Sequence, residues 1–161
     1  MKTTGRFTQF CIAIALVIFA SFAAAQQRPS YGGQIMIDDA KKIAAGALAE
    51  AKKNGWNVAI AVLDNHGMLI YYEMMDDTQT SSATIAIEKG RTAAMFRRPS
   101  KAFEDVVSKG RIAVLGLPGV TPVQGGLPIV VNGKIVGGVG VSGVNSDQDE
   151  QVSQAGLNAL K

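Results

Sequence analysis

Asn132-Gly133 lies between two apolar stretches, residues 129–131 and 134–142. A two-residue hairpin turn needs positive φ at both central positions, which Asn-Gly tolerates, so the pair predicts a tight β-hairpin. The returning strand is unusual in its glycines: Gly137-Gly138-Val139-Gly140-Val141-Ser142-Gly143. Successive strand residues face opposite sides, so Gly138 and Gly140 share a face that carries almost no side chain. Such a face wastes burial and costs backbone entropy, so something must approach it closely. A ligand or a neighbouring chain's backbone is the expected occupant.

A second hairpin is expected upstream. Residues 58–63 are apolar on both alternations, Asp64-Asn65-His66-Gly67 is turn chemistry, and residues 68–74 continue as a strand. Ile37, Ala40, Ile43, Ala44, Ala47, Leu48 and Ala51 recur at helical spacing. Asp38 and Asp39 sit at that helix's favourable start, Lys52 and Lys53 at its end, and Gly55 can stop it. Residues 85–96 predict another helix, ended by Pro99. Ser100 is the expected cap of a short third helix with Phe103, Val106 and Val107 inward. Residues 118–126 form a Gly/Pro-rich loop. Ser146, with Asp149 three residues on, begins a terminal helix with a capping-box-like start. Consecutive hairpins with helices between them predict one α+β domain: an antiparallel sheet covered by helices.

The first 25 residues predict a signal peptide. Lys2 and Arg6 give a positive start, residues 10–24 are apolar apart from Cys11 and Ser21, and Ala23-Ala24-Ala25 offers small residues for cleavage. The run is shorter than the ~20 residues that span a bilayer. The expectation is a periplasmic or secreted protein with no membrane span after processing. Removing 25 of 161 residues leaves 136 and takes two positive charges from the formal +3, leaving +1. That charge suggests no nucleic-acid partner. Cys11 is the only cysteine, so the processed chain has no thiol. Residues 26–34 are expected as a flexible lead-in, and 35–161 as the domain.

His66 is the only histidine. It reads either as an axial haem or metal ligand or as a solvated hairpin-tip residue. A zinc site built from side chains needs more His or Cys than this. Haem needs one axial ligand, and Met or Tyr can also serve, which adds Met68, Met74, Met75, Met95, Tyr71 and Tyr72. Glu88, Lys89 and Arg91 share the second helix. Glu88 and Arg91 are three apart and can pair, either in solvent or inward beside Gly125-Gly126, where a guanidinium suits a carboxylate or propionate. Arg97 and Arg98 read as surface charge. The G-x-G sequence near residue 138 lacks the βαβ context of a nucleotide site.

Three segments together resemble a known family. They are Ile87-Glu88-Lys89-Gly90-Arg91-Thr92-Ala93-Ala94 with Phe96-Arg97-Arg98-Pro99; Leu117-Pro118-Gly119-Val120 with Gly125-Gly126-Leu127-Pro128-Ile129; and residues 136–143 followed by Asp147-Gln148-Asp149-Glu150. Their order and spacing are similar to the GlcG/HbpS-type haem-binding family, whose domain also forms the C-terminal part of PduO-type corrinoid adenosyltransferases. The resemblance covers about residues 35–160. It implies a profilin-like antiparallel sheet flanked by helices, homo-oligomers, and haem as cofactor in some members. Secreted members are linked to haem or iron sensing and scavenging. Many relatives carry His where Met68 stands. The reading is therefore an exported haem-binding protein in which His66, or failing that Met68, meets the iron. Arg91 or Lys89 would meet a propionate, with Gly125 and Gly126 at the pocket. The alternative is an enzyme, or enzyme accessory, acting on a small carboxylate or quinone-like compound. There Arg91 would anchor the anion, Glu88 would act as acid–base, and the Gly125-Gly126 loop would complete the pocket.

Overall fold

The computed structural model describes residues 28–160, so the apolar N-terminal segment lies outside the described residues. The order is β1 (Ser30–Tyr31), α1 (Ile37–Asn54), β2 (Ala59–Asp64), β3 (Leu69–Met74), α2 (Ser82–Phe96) and α3 (Lys101–Ser108). A 3-10 turn (Ile112–Gly116), β4 (Gly126–Val131), β5 (Lys134–Ser142) and α4 (Ser146–Asn158) complete it. This is the expected α+β domain, with both hairpins in place. Asn132 and Gly133 take φ of 50° and 71°, as a tight hairpin turn requires. Gly55 closes α1 in the left-handed region.

β5 is the hub of the sheet. It pairs antiparallel with β2 from Ala59↔Ser142 to Asp64↔Gly137, and antiparallel with β4 from Gly126↔Gly140 to Val131↔Lys134. β3 pairs antiparallel with β2. One element was not foreseen: Ser30–Tyr31, within the expected lead-in, pairs parallel with Lys134–Ile135 and makes the sheet mixed.

The two faces are covered differently. On one, Val58, Ile60, Val62, Val139 and Val141 pack against Ile43, Ala44 and Ala47 of α1 and Val152 of α4, an ordinary side-chain core. On the other, Ala59, Ala61 and Leu63 meet Ala86 of α2. That face also holds Gly138 and Gly140, and here the expectation of a ligand or neighbouring chain is corrected. A side chain at Gly140 would collide with the Ala86 carbonyl and the Gly90 backbone, and one at Gly138 with the Gly90 carbonyl. One at Gly126 would strike the Lys89 carbonyl. The chain's own α2 fills the glycine face, backbone against backbone.

Ser100 also differs from expectation. Its hydroxyl accepts from Gly126 N–H at 2.9 Å and donates to the Val123 carbonyl at 2.6 Å, bracing the entry to β4 rather than capping α3. Asn145, not Ser146, is the residue before α4, and its N–H donates to Gln148 Oε1 at 3.1 Å.

Gly140→Ala should therefore cost at least roughly 3 kcal/mol, the upper part of the overpacking range, because rigid backbone faces the new methyl. Gly33→Ala, which would meet nothing within 4 Å, should be near neutral. Equal denaturant midpoints for the two variants would show that α2 does not rest on β5 in solution.

Candidate functional site

The residues expected at one site fall into two groups. The first lies where the β2–β3 turn meets the C-terminal half of α2. Asp64 Oδ1 accepts the N–H groups of His66 (2.8 Å) and Met68 (2.9 Å), which shapes the turn, and Gly67 takes φ of 81°. His66 is exposed, and its imidazole bonds to no described residue. Met68 beside it is 63% exposed. Arg91 Nε donates to the Gly67 carbonyl at 3.0 Å, and its Nη1 pairs with Glu88. Both members of that pair are about a third exposed, so the pair adds little stability and its guanidinium remains accessible.

Met95, one helical turn beyond Arg91, places its Sδ 3.0 Å from the point where a Gly67 side chain would begin and 3.9 Å from the equivalent point of Gly119. The Gly119 loop is locked to α2: Thr92 Oγ1 donates to the Gly119 carbonyl at 3.1 Å and accepts Thr121 N–H at 2.8 Å. His66, Met68 and Arg91 are thus brought together, with the thioether of Met95 beneath the turn.

The second group is interior. Lys89 is 1% exposed, and its ammonium donates to Asp149 Oδ2 at 2.7 Å and to the Val141 carbonyl at 3.2 Å. Asp149 Oδ1 takes the Val144 N–H at 3.2 Å. Burial pushes the Asp149 carboxyl above the ordinary carboxylate value, against the pull of Lys89 and of backbone N–H groups. Gly125, at φ 123°, faces this pair, and its carbonyl accepts from Ser153 Oγ at 2.7 Å. Gly126 lies against the Lys89 backbone. Lys89, Gly125 and Gly126 therefore bind α2, β4 and α4 together. The Glu88–Arg91 pair instead reaches the β2–β3 turn, through the bond from Arg91 to the Gly67 carbonyl.

A cleft of about 390 Å³ opens elsewhere, between the end of α1 and the end of β3, lined by Lys52, Asn57, Glu73, Met74, Met75 and Asp76 among others. Among the described residues no three His, Cys, Asp or Glu side chains are grouped to hold a metal ion, and no helix is long and apolar enough to cross a membrane. A haem iron needs one axial ligand. The exposed imidazole of His66 or the exposed thioether of Met68 fits that requirement, and the Arg91 guanidinium suits a propionate.

Sequence reasoning missed the partner of Lys89. A lysine flanked on its helix by Ala86, Gly90 and Ala93 was a signal that it points inward and needs an acid. Nothing local indicated that the acid was Asp149, 60 residues away.

Residues 35–158 match the family described as "Haem degrading protein HbpS-like". Protein GlcG of Escherichia coli K12 is 47% identical over 103 residues, covering 64% of this chain and 77% of that protein. The fold is similar to a crystal structure of a double mutant of HbpS from Streptomyces reticuli. That match has a TM-score of 0.74 and 28% identity and covers 86% of this chain and 99% of that one. It is also similar to a PduOC:heme complex, with a TM-score of 0.71 and 24% identity over 78% and 94% of the two chains.

Lys89→Met should destabilise the protein by about 3–5 kcal/mol, because Asp149 is left as a buried charge without its cation. Lys89→Met combined with Asp149→Leu should recover most of that loss. A single-variant loss under about 1 kcal/mol by urea denaturation would mean that water reaches the pair.

Proposed function

This chain belongs to the HbpS-like family, and we propose that it is an exported haem-binding protein whose iron ligand is His66. The observation that carries the reading is the unbonded, exposed imidazole of the chain's one histidine, on a turn held by Asp64 and placed beside Arg91, Met68 and Met95. Bound haem would supply an iron centre for ligand exchange and one-electron chemistry. The protein's own part is to present the imidazole, to offer thioether and aliphatic surface to the macrocycle, and to meet a propionate with Arg91. Arg91 would exchange part of its pairing with Glu88 for that propionate, a small cost at a pair about a third exposed. Lys89 has no part in the contact, since its ammonium is held by Asp149. The haem held by the PduOC structure of the same fold supports this reading. Export follows from the charged, apolar and small-residue order of the first 25 residues, and an exported haem binder suits haem sensing or scavenging.

Haemin added to the purified protein should give a saturable Soret shift at micromolar concentration. Loss of an outer-shell partner of a metal ligand costs roughly 10–100-fold in affinity, so His66→Ala should cost at least that much. No shift in the wild type would overturn haem binding; a shift unchanged in His66→Ala would remove only the ligand, and Met68→Ala would then be tested the same way.

The glycine face no longer argues for self-association, but another surface does. Ile112, 68% exposed, Leu115 and Leu117 present large apolar side chains along the 3-10 turn and the loop after it. We propose that this stretch joins copies of the chain in a homo-oligomer, since contiguous exposed apolar surface marks interaction sites. Light scattering should report a multimer for the wild type and a smaller species for Leu115→Glu. A wild-type monomer at high micromolar concentration would overturn the assembly.

A further inference from the structure

Residues 28–32 touch both elements that carry the His66 site. Gly32 N–H donates to the Ile135 carbonyl at 2.8 Å, which fixes the segment to the sheet beyond β1. From there its contacts diverge. The Gly32 carbonyl accepts from Asn65 Nδ2 at 2.8 Å, and Asn65 is the residue directly before His66. The Tyr31 hydroxyl donates to the Met95 carbonyl. Arg97 stacks its guanidinium 5.3 Å above the Tyr31 ring and donates through Nη1 to the Pro29 carbonyl at 3.3 Å.

Each contact answers a local need. Met95 is in the last turn of α2, where backbone carbonyls have no partner within the helix, and Tyr31 supplies one. Arg97 follows α2 in the left-handed region, φ 55°, which a side chain enters at a cost unless neighbours hold it there. The stacked ring and the Pro29 carbonyl hold it. Asn65 is only 8% exposed, and its Oδ1 is buried without a donor among the described residues. Turning the amide over would set that oxygen against the Gly32 carbonyl. The side chain is therefore buried for a single bond, the one to the N-terminal segment.

We propose that residues 28–32 act as a brace for the candidate ligand site, and that Tyr31 and Asn65 are its positioning residues. The inference rests on the haem reading for its purpose but not for its mechanism. Neither residue need touch haem. Tyr31 acts through Met95, whose thioether lies under Gly67, and Asn65 acts through the turn backbone that carries His66. With the brace in place the imidazole and the α2 side chains keep one mutual geometry, so a ligand meets a site already ordered.

The chain's single histidine gives a test that does not depend on haem. The Cε1–H resonance of His66 is recorded in the purified apo protein at fixed pH for the wild type, Tyr31→Phe, Asn65→Ala and the double variant, and each is titrated with haemin. Both single variants should shift or broaden the resonance, although Tyr31→Phe removes only a hydroxyl bonded to the Met95 carbonyl. Each should weaken haemin binding roughly two- to tenfold, the factor expected for one net hydrogen bond. The double variant should be less than additive, because both bonds serve one brace. Leu48→Ala, a truncation in α1 against the other core, controls for general loss of stability and should leave the resonance in place. An unmoved His66 resonance in both single variants, or an equal displacement in Leu48→Ala, overturns the brace. A wild type that takes no haemin while the resonance still moves in the two variants supports the brace and overturns the haem reading instead.

Discussion

The contact on which the rest of the molecule depends is the one between the backbone of α2 and the glycines of β4 and β5. Gly90 of the helix lies against Gly138 and Gly140 of the strand, and Gly126 lies against the carbonyl of Lys89. Side chains usually hold a helix off a sheet and leave some freedom to slide or roll. Without them the helix is seated by hard contacts between main-chain atoms, which fix its distance and its rotation together.

Both groups of polar residues on α2 follow from that seating. With Gly90 against the sheet, Lys89 is driven inside, where an ammonium is tolerable only with a counter-charge, and Asp149 of α4 supplies it. Arg91 and Met95, four residues apart and so on one helix face, emerge together beside the β2–β3 turn. The interior pair ties the terminal helix to the sheet, and the outer pair gives the candidate site its form. One rotation of one helix sets both.

Much of this was legible because it is local. Asn132-Gly133 announces its turn by the φ values it tolerates, Gly55 announces the end of α1, and the two-residue alternation of β5 shows which face lacks side chains. What the bare face was for was not legible, since the helix that fills it is some 50 residues upstream and is itself recognisable only by small residues at 86, 90, 93 and 94. The Lys89–Asp149 pair and the bond from Asn65 to Gly32 were hidden for the same reason: each joins residues far apart in sequence. β1 is two residues long, too short to show a period, and takes its conformation from the edge of β5. The three segments that carried the family resemblance contain Lys89, Gly90, Gly126, Gly138, Gly140 and Asp149, so the resemblance rested on the residues that build this seating.

An interface made of main chain has a consequence for how such a protein can diverge. At the surface between α2 and β5 a mutation can only add a side chain, and each addition would collide with main chain, so these positions tolerate almost no substitution. The outward face of the same helix, bearing Glu88, Arg91 and Met95, is under no such restriction. Substitutions there would exchange one ligand chemistry for another without disturbing the support beneath. The fold thereby separates the positions that inheritance must keep from those on which selection for a new ligand is free to act.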